Sequence, residues 1–221
     1  MSHKEEAHGS RLAHGSWLMA SSAPIIGLAG GIGSGKTEVA RILAELGCVV
    51  ADSDALGREV LDEDEVREQL VGWWGGGILD DAGRIDRSAV ARIAFGDPDE
   101  RRRLERLTHP RIESGRKAIF DSAPADAPAL VIDAPLLLEA GLETECDAVI
   151  FIDASRETRA GRVARTRGWD EGELRRREDS QLPLDVKRAR ADYVVENDGG
   201  LSGLTDRVRR VLRDIVESCR N

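Results

Sequence analysis

Residues 30–37 read Gly30-Gly31-Ile32-Gly33-Ser34-Gly35-Lys36-Thr37. The spacing is G-x-x-x-x-G-K-[ST], the phosphate-binding P-loop, with two further glycines inside it. The glycines let backbone N–H groups turn inward around a polyphosphate. Lys36 reaches the outer phosphates, and the Thr37 hydroxyl is placed to hold Mg²⁺. Gly31, Ile32, Gly33, Ser34 and Gly35 are the cradle itself. The flanks agree with this reading. Ile25, Ile26, Leu28 and Ala29 make a short apolar strand before the loop. Val39, Ile42, Leu43 and Leu46 follow at helical spacing, the buried face of a helix. The loop therefore delivers a phosphate to a helix N-terminus, where the dipole favours negative charge. A Gly-rich turn without a ligand is the competing account, and the strand before and helix after argue against it.

Working outward, strand-like segments recur at Ile25–Ala29, Cys48–Ala51, Leu130–Asp133, Ala148–Ile152 and Tyr193–Val195, with helical patterns between them. This alternation predicts an α/β fold, a parallel five-stranded sheet flanked by helices. Leu204, Val208, Val211, Leu212 and Ile215 give the last helix one apolar face. The interval between the second and third strands is far longer than one crossover helix needs. It carries helical patterns at 54–61, 65–71, 87–95 and 98–120, which predict a helical lobe beside the core. Pro110, late in the last of these, is expected to break or kink its helix. A second insertion, 155–190, carries eleven Lys/Arg against seven Asp/Glu and reads as a basic flap. The competing account is a solvated helix surface laced with i,i+4 ion pairs.

Composition bounds the function. The chain has 221 residues, 41% hydrophobic and 33% charged, which suits one soluble domain with inserted lobes. A net charge of −9 argues against a general nucleic-acid or membrane-surface binder. No apolar run approaches the length that spans a bilayer. Cys48, Cys146 and Cys219 lie far apart with no C-x-x-C pair, so reduced thiols in a cytoplasmic protein are expected. Residues 1–23 are polar and small, with His3, His8 and His14 scattered among them, and read as a disordered extension.

The second strand ends in Asp52-Ser53-Asp54. Ligands of open parallel sheets bind at the carboxyl ends of strands, so these carboxylates are expected near the phosphates. Phosphoryl transfer requires positioning, charge neutralisation and a group that takes the acceptor hydroxyl proton. Asp54 is assigned that last role. Asp52 is assigned to the metal-water shell or to structural support, and both side chains face the same side if the strand conformation continues. The competing account is that either aspartate is a helix N-cap. Leu130-Val131-Ile132-Asp133 resembles a Walker-B strand end, with Asp133 toward a metal-bound water. A P-loop core with a helical lobe and a closing basic flap is the build of a small-molecule kinase, in which closure excludes water.

Together these elements resemble the dephospho-CoA kinases. The resemblance rests on Gly27 through Thr37, on Asp52-Ser53-Asp54-Ala55-Leu56-Gly57-Arg58, on Ile78 through Arg87, on Leu107-Thr108-His109-Pro110, on Asp133-Ala134-Pro135-Leu136-Leu137-Leu138-Glu139, on Gln181-Leu182-Pro183 with Lys187, and on Ala191 through Asn197. It covers about residue 24 to the C-terminus. It implies ATP-dependent phosphorylation of the ribose 3′-hydroxyl of dephospho-CoA, with Mg²⁺; beside the resemblance, a cytoplasmic monomer without nucleic-acid or membrane partners is expected. It implies a core of 24–54, 128–154 and 191–221, a CoA-binding lobe 55–127 and a lid 155–190. It places Asp54 as the catalytic aspartate and Arg58, Arg84 and His109 beside the acceptor. Arg162 is placed at the ATP phosphates and Asn197 near the adenine. The family often carries a second lid arginine four residues after the first; here that position is Thr166, flanked by Arg165 and Arg167. Shikimate and nucleoside monophosphate kinases are the alternative within the fold; the long insertion with His109-Pro110 disfavours them. A GTPase-like switch is the alternative outside it, and the chain lacks an [NT]-K-x-D guanine motif.

Overall fold

The computed structural model describes residues 23–199 and 201–220. The expected N-terminal extension lies outside the described residues except for Ala23. Five strands form one parallel sheet: β1 (Ile25–Gly30), β2 (Val49–Asp52), β3 (Leu130–Asp133), β4 (Ala148–Asp153) and β5 (Tyr193–Glu196). Their spatial order is β2-β3-β1-β4-β5. The chain leaves β1 for one edge of the sheet and later fills the other side. That reversal opens a crevice above the carboxyl end of β1, the place where such sheets bind ligands.

The strands are apolar on both faces because helices cover both. Ile26, Leu28, Val131 and Ile150 pack on one face, against α1 (Lys36–Glu45) and α9 (Leu201–Cys219). Ala29, Ile132, Val149 and Phe151 pack on the other, against Leu137 and Leu138. Each large side chain so buried contributes about 1.5–3 kcal/mol. The expected α9 face is present, with Leu204, Val208, Leu212 and Ile215 buried and Val211 partly so.

Between β2 and β3 come α2 (Ser53–Asp62), α3 (Asp64–Trp74), α4 (Arg87–Gly96) and α5 (Pro98–Asp121). They build a core of their own from Val60, Val66, Leu70, Ile78, Ile85, Ala89 and Val90. Of the break or kink expected at Pro110, the break does not occur: α5 runs unbroken from Pro98 to Asp121. An interior proline costs roughly 3 kcal/mol or more. Leu104 and Leu107 before it and Ile112 after it all pack on the lobe core, which holds both halves in one helix. Asp97 caps this helix by accepting from the Asp99 N–H, and Pro98 stands at its first turn, where no N–H is missed.

Between β4 and β5 the basic segment forms α6 (Arg156–Arg167), α7 (Glu171–Glu178) and α8 (Leu184–Ala189). Several of its charges do make local i,i+3 and i,i+4 pairs, as Glu173 does with Arg176 and Arg177. Others turn inward, and these matter for the site.

Candidate active site

The P-loop joins β1 to α1. It is turned by an internal hydrogen bond from the Ser34 N–H to the Gly31 carbonyl, 3.0 Å. Gly33 and Gly35 adopt φ of 78° and 94°, left-handed values that an L side chain tolerates poorly. Lys36 opens α1, and its Nζ lies 3.2 Å from Asp133 Oδ1 at the end of β3. Asp133 is in register with Leu28 of β1 and with Asp52 of β2, so three adjacent strand ends converge here. Thr37 is exposed in the first turn of α1.

The strand does not continue through Asp54. Helix α2 begins at Ser53, and Asp52 Oδ1 caps it, accepting from the N–H groups of Asp54 (2.8 Å) and Ala55 (3.0 Å). Of the two accounts of Asp52, this is the capping one, and the physical reason is local. Four N–H groups at a helix start lack partners, and an Asp at the preceding residue reaches two of them. The other carboxylate oxygen stands 4.0 Å from the Arg58 guanidinium, one turn along α2. Asp54 thus projects from the first turn of α2 and not from a strand. It is open to solvent on one side and backed by protein on the other. Desolvation by that backing raises its pKa, and the neighbouring Asp52 and Asp133 add to the rise while Lys36 and Arg58 oppose it. Lys36, Asp52, Asp54, Arg58 and Asp133 therefore form one electrostatic cluster.

Arg162 and Asn197 meet on the other side of the loop. Arg162 Nη1 donates to the Ser34 carbonyl at 3.0 Å and Nη2 to the Asn197 carbonyl at 2.7 Å. Asn197 is buried, and its Nδ2 donates to the same Ser34 carbonyl at 2.7 Å. Both residues hold the backbone of the cradle. Of the other two arginines, Arg165 is exposed, and Arg167 lies 4.8 Å over the Trp169 ring. Arg84 is not brought to the cluster. It is exposed and pairs at 3.0 Å with Asp80, whose side chain also accepts two backbone N–H groups of the same turn. His109 is exposed on α5, the helix that packs along α2 and β2.

Two inward pairs were not legible as site features. Arg159 is buried, donating to the Ala154 and Ile32 carbonyls, both at 3.3 Å, and pairing with Glu178. Lys187 is 2% exposed and pairs with Glu139 at 2.8 Å and Gln181 at 3.0 Å. A usable signal existed. The inward stripe of α6 contains Arg159 and Val163, so a helix this poor in apolar residues had to bury a charged one.

A P-loop at the switch point of a parallel sheet, with carboxylates ending β3 and β2 on one side of it, defines a nucleotide-binding P-loop kinase fold. Similarity to known proteins narrows this class. The dephospho-CoA kinase family model matches residues 24–203. A dephospho-CoA kinase of Syntrophotalea carbinolica is 39% identical over 194 residues, covering 87% of this chain and 92% of that one. A Thermus thermophilus protein of known structure is 34% identical, with a TM-score of 0.77 over 87% of this chain and 97% of its own. The Campylobacter jejuni dephospho-CoA kinase, 22% identical, shares the fold with a TM-score of 0.65, covering 90% of this chain and 99% of its own. The chain belongs to the dephospho-CoA kinase family.

Proposed function

We propose that this protein transfers the terminal phosphoryl group of ATP to the ribose 3′-hydroxyl of dephospho-CoA, giving CoA and ADP. The observation that carries the reading is Asp54, set in the first turn of α2 within the charge cluster of Lys36 and Asp133, with its pKa raised. A carboxylate with a raised pKa is a better proton acceptor than an ordinary one. In this reading Asp54 orients the 3′-hydroxyl and takes its proton as the oxygen–phosphorus bond forms. Lys36, held toward the strand ends by Asp133, meets the charge on the outer phosphate oxygens. The inward N–H groups of the loop bind the polyphosphate.

Hard oxygen donors suited to Mg²⁺ stand at this place, the Thr37 hydroxyl and the Asp133 carboxylate. Asp52 contributes less directly, because one of its oxygens is committed to the α2 cap. Among the described residues no three His, Cys, Asp or Glu side chains converge as a cage. Mg²⁺ needs none, being held by one or two protein oxygens together with substrate phosphates. When bound, the ion supplies charge neutralisation at the β- and γ-phosphate oxygens.

The helical lobe 55–127 is assigned to the acceptor, with Arg58 and His109 facing it and Arg84 reaching it only if its turn moves. Segment 155–190 is assigned as the lid over a core of 24–54, 128–154 and 191–221. The same reading makes the enzyme a cytoplasmic monomer. Among the described residues no helix is long and apolar enough to cross a membrane. The test is coupled ADP release with dephospho-CoA and, separately, shikimate, with the product mass-analysed. Turnover of dephospho-CoA with a gain of one phosphate is expected. Turnover of shikimate but not of dephospho-CoA overturns the reading.

A further inference from the structure

Helix α6 reaches the outer side of the P-loop with two arginines, and only one of them, Arg162, has a place in the functional reading. The other is the more buried. Arg159 is 5% exposed and spreads its guanidinium over three elements. Its Nε donates to the Ala154 carbonyl just after β4, and its Nη1 to the Ile32 carbonyl in the P-loop, each at 3.3 Å. Nη1 also pairs with Glu178 at the end of α7. We propose that Arg159, held by Glu178, is a positioning residue for the nucleotide. It pins the Ile32 carbonyl outward and thereby sets the Gly33 N–H toward the phosphates.

The geometry follows from the peptide bond. A trans peptide is planar, with its C=O and the next N–H pointing in opposite directions. Holding the Ile32 carbonyl on the α6 side turns the Gly33 N–H to the cradle side. Arg162 and Asn197 do the same to the next exposed peptide, taking the Ser34 carbonyl and turning the Gly35 N–H. Arg162 Nη1 also reaches the Gly33 carbonyl at 3.4 Å, so side chains hold the loop at three carbonyls, and the Ile32 and Ser34 carbonyls orient the N–H groups of its left-handed glycines. The fit is close. A Cβ at Gly33 would lie 2.8 Å from the Arg159 carbonyl, and one at Gly31 would lie 3.2 Å from Arg159 Nη1. Among the described residues the Ile32 carbonyl and the Gly33 N–H make no other hydrogen bond, since the internal turn bond uses Ser34 and Gly31.

Stability alone does not call for this arrangement. A buried ion pair is commonly matched or bettered by apolar residues of similar volume, because both charges lose their hydration. What apolar residues cannot do is donate to the Ile32 carbonyl. Glu178 brings α7 into the same contact, so the docking of the basic segment and the shape of the cradle are linked through one guanidinium.

The proposal rests on the P-loop being the ATP site. Its test compares wild type with Arg159→Met/Glu178→Met, which removes both charges, and with Arg159→Lys, which keeps the pair but not the fork. ATP binding is measured by titration calorimetry, and KM is measured for each substrate. The double variant is expected to melt within a few degrees of wild type, to bind ATP about tenfold more weakly, and to keep its KM for dephospho-CoA within about twofold. Arg159→Lys is expected to raise the ATP KM in the same direction. Glu178→Gln, which spares the Ile32 bond, is expected to raise it less. If either Arg159 variant folds and binds ATP as wild type does, the positioning role is wrong and the contact is structural. If wild type itself binds no ATP, the functional reading fails first.

Discussion

Lys187 is a cation in the protein interior, and removing it has a size that the structure sets. Its Nζ lies 2.8 Å from Glu139 Oε1 and 3.0 Å from Gln181 Oε1, and its side chain is 2% exposed. Glu139 is 18% exposed, also accepts the Leu182 N–H at 3.0 Å, and has its Oε2 buried without a hydrogen-bond partner. Lys187→Met would therefore strand a carboxylate that keeps one N–H. Breaking a buried pair in this way costs about 3–5 kcal/mol, which lowers the melting temperature of a chain this size by roughly 6–20 °C. The effect has a pH signature. Burial pushes the Glu139 pKa up, but the hydrogen bonds from Lys187 and Leu182 outweigh it, and the net shift is below the ordinary value of 4.5. A depressed carboxylate stabilises fully above its unfolded pKa, and that contribution is lost as pH falls through the folded value. The gap between wild type and Lys187→Met should accordingly be largest at neutral pH and narrow below about pH 4.5. Denaturant melts at pH 7.5 and pH 4 measure it. Lys187→Met/Glu139→Leu should recover most of the loss, since no charge is left unpaired. A loss under about 1 kcal/mol at neutral pH, or a gap that does not narrow in acid, would refute the reasoning.

Asp54→Asn should lower kcat by roughly 10²–10⁴-fold with ATP binding unchanged; a near-wild-type kcat removes Asp54 from the proton-accepting role. Because its pKa is raised above 3.8, the acid limb of kcat/KM should lie at higher pH than an ordinary aspartate gives, and this limb should vanish in Asp54→Asn. Lys36→Ala should cut kcat/KM for ATP by about 10²-fold or more, and an unchanged value would take the loop out of phosphate binding. Asp52→Ala should cost about 0.5–2 kcal/mol through loss of the α2 cap and should slow turnover by loosening Asp54. Asp52→Asn retains the cap and should keep both stability and kcat within a few-fold; a large drop in its kcat would show that Asp52 acts through its charge.

Much of this molecule is legible in one dimension. Gly30 through Thr37 announced a phosphate cradle because its requirements are local: glycine where φ is positive, a lysine and a hydroxyl at the helix start. The five strands and the apolar faces of α1 and α9 followed from periodicity, since burial on both sheet faces demands continuous apolar strands. The resemblance to the dephospho-CoA kinases was carried by short motifs in a fixed order. What could not be read depended on contacts between distant residues. Pro110 sits inside an unbroken helix because the lobe core grips both sides of it, and no local rule contains that grip. Asp52 had two local accounts, and the start of α2 at Ser53 selected the cap. Arg159 and Glu178, nineteen residues apart, looked like members of a solvated charge run. Lys187 and Glu139, forty-eight residues apart by number, both stand among the motifs that carry the resemblance, but nothing in the sequence joined them, since the sign of a charge says nothing about whether water or protein surrounds it. The chain itself determined that a polyphosphate is held between β1 and α1, because that chemistry is built from consecutive backbone groups. Only the tertiary structure decided which side chains stand behind the loop and keep its N–H groups aimed, because that requires Arg159 and Arg162 of α6, Glu178 of α7 and Asn197 just after β5 to come together against it.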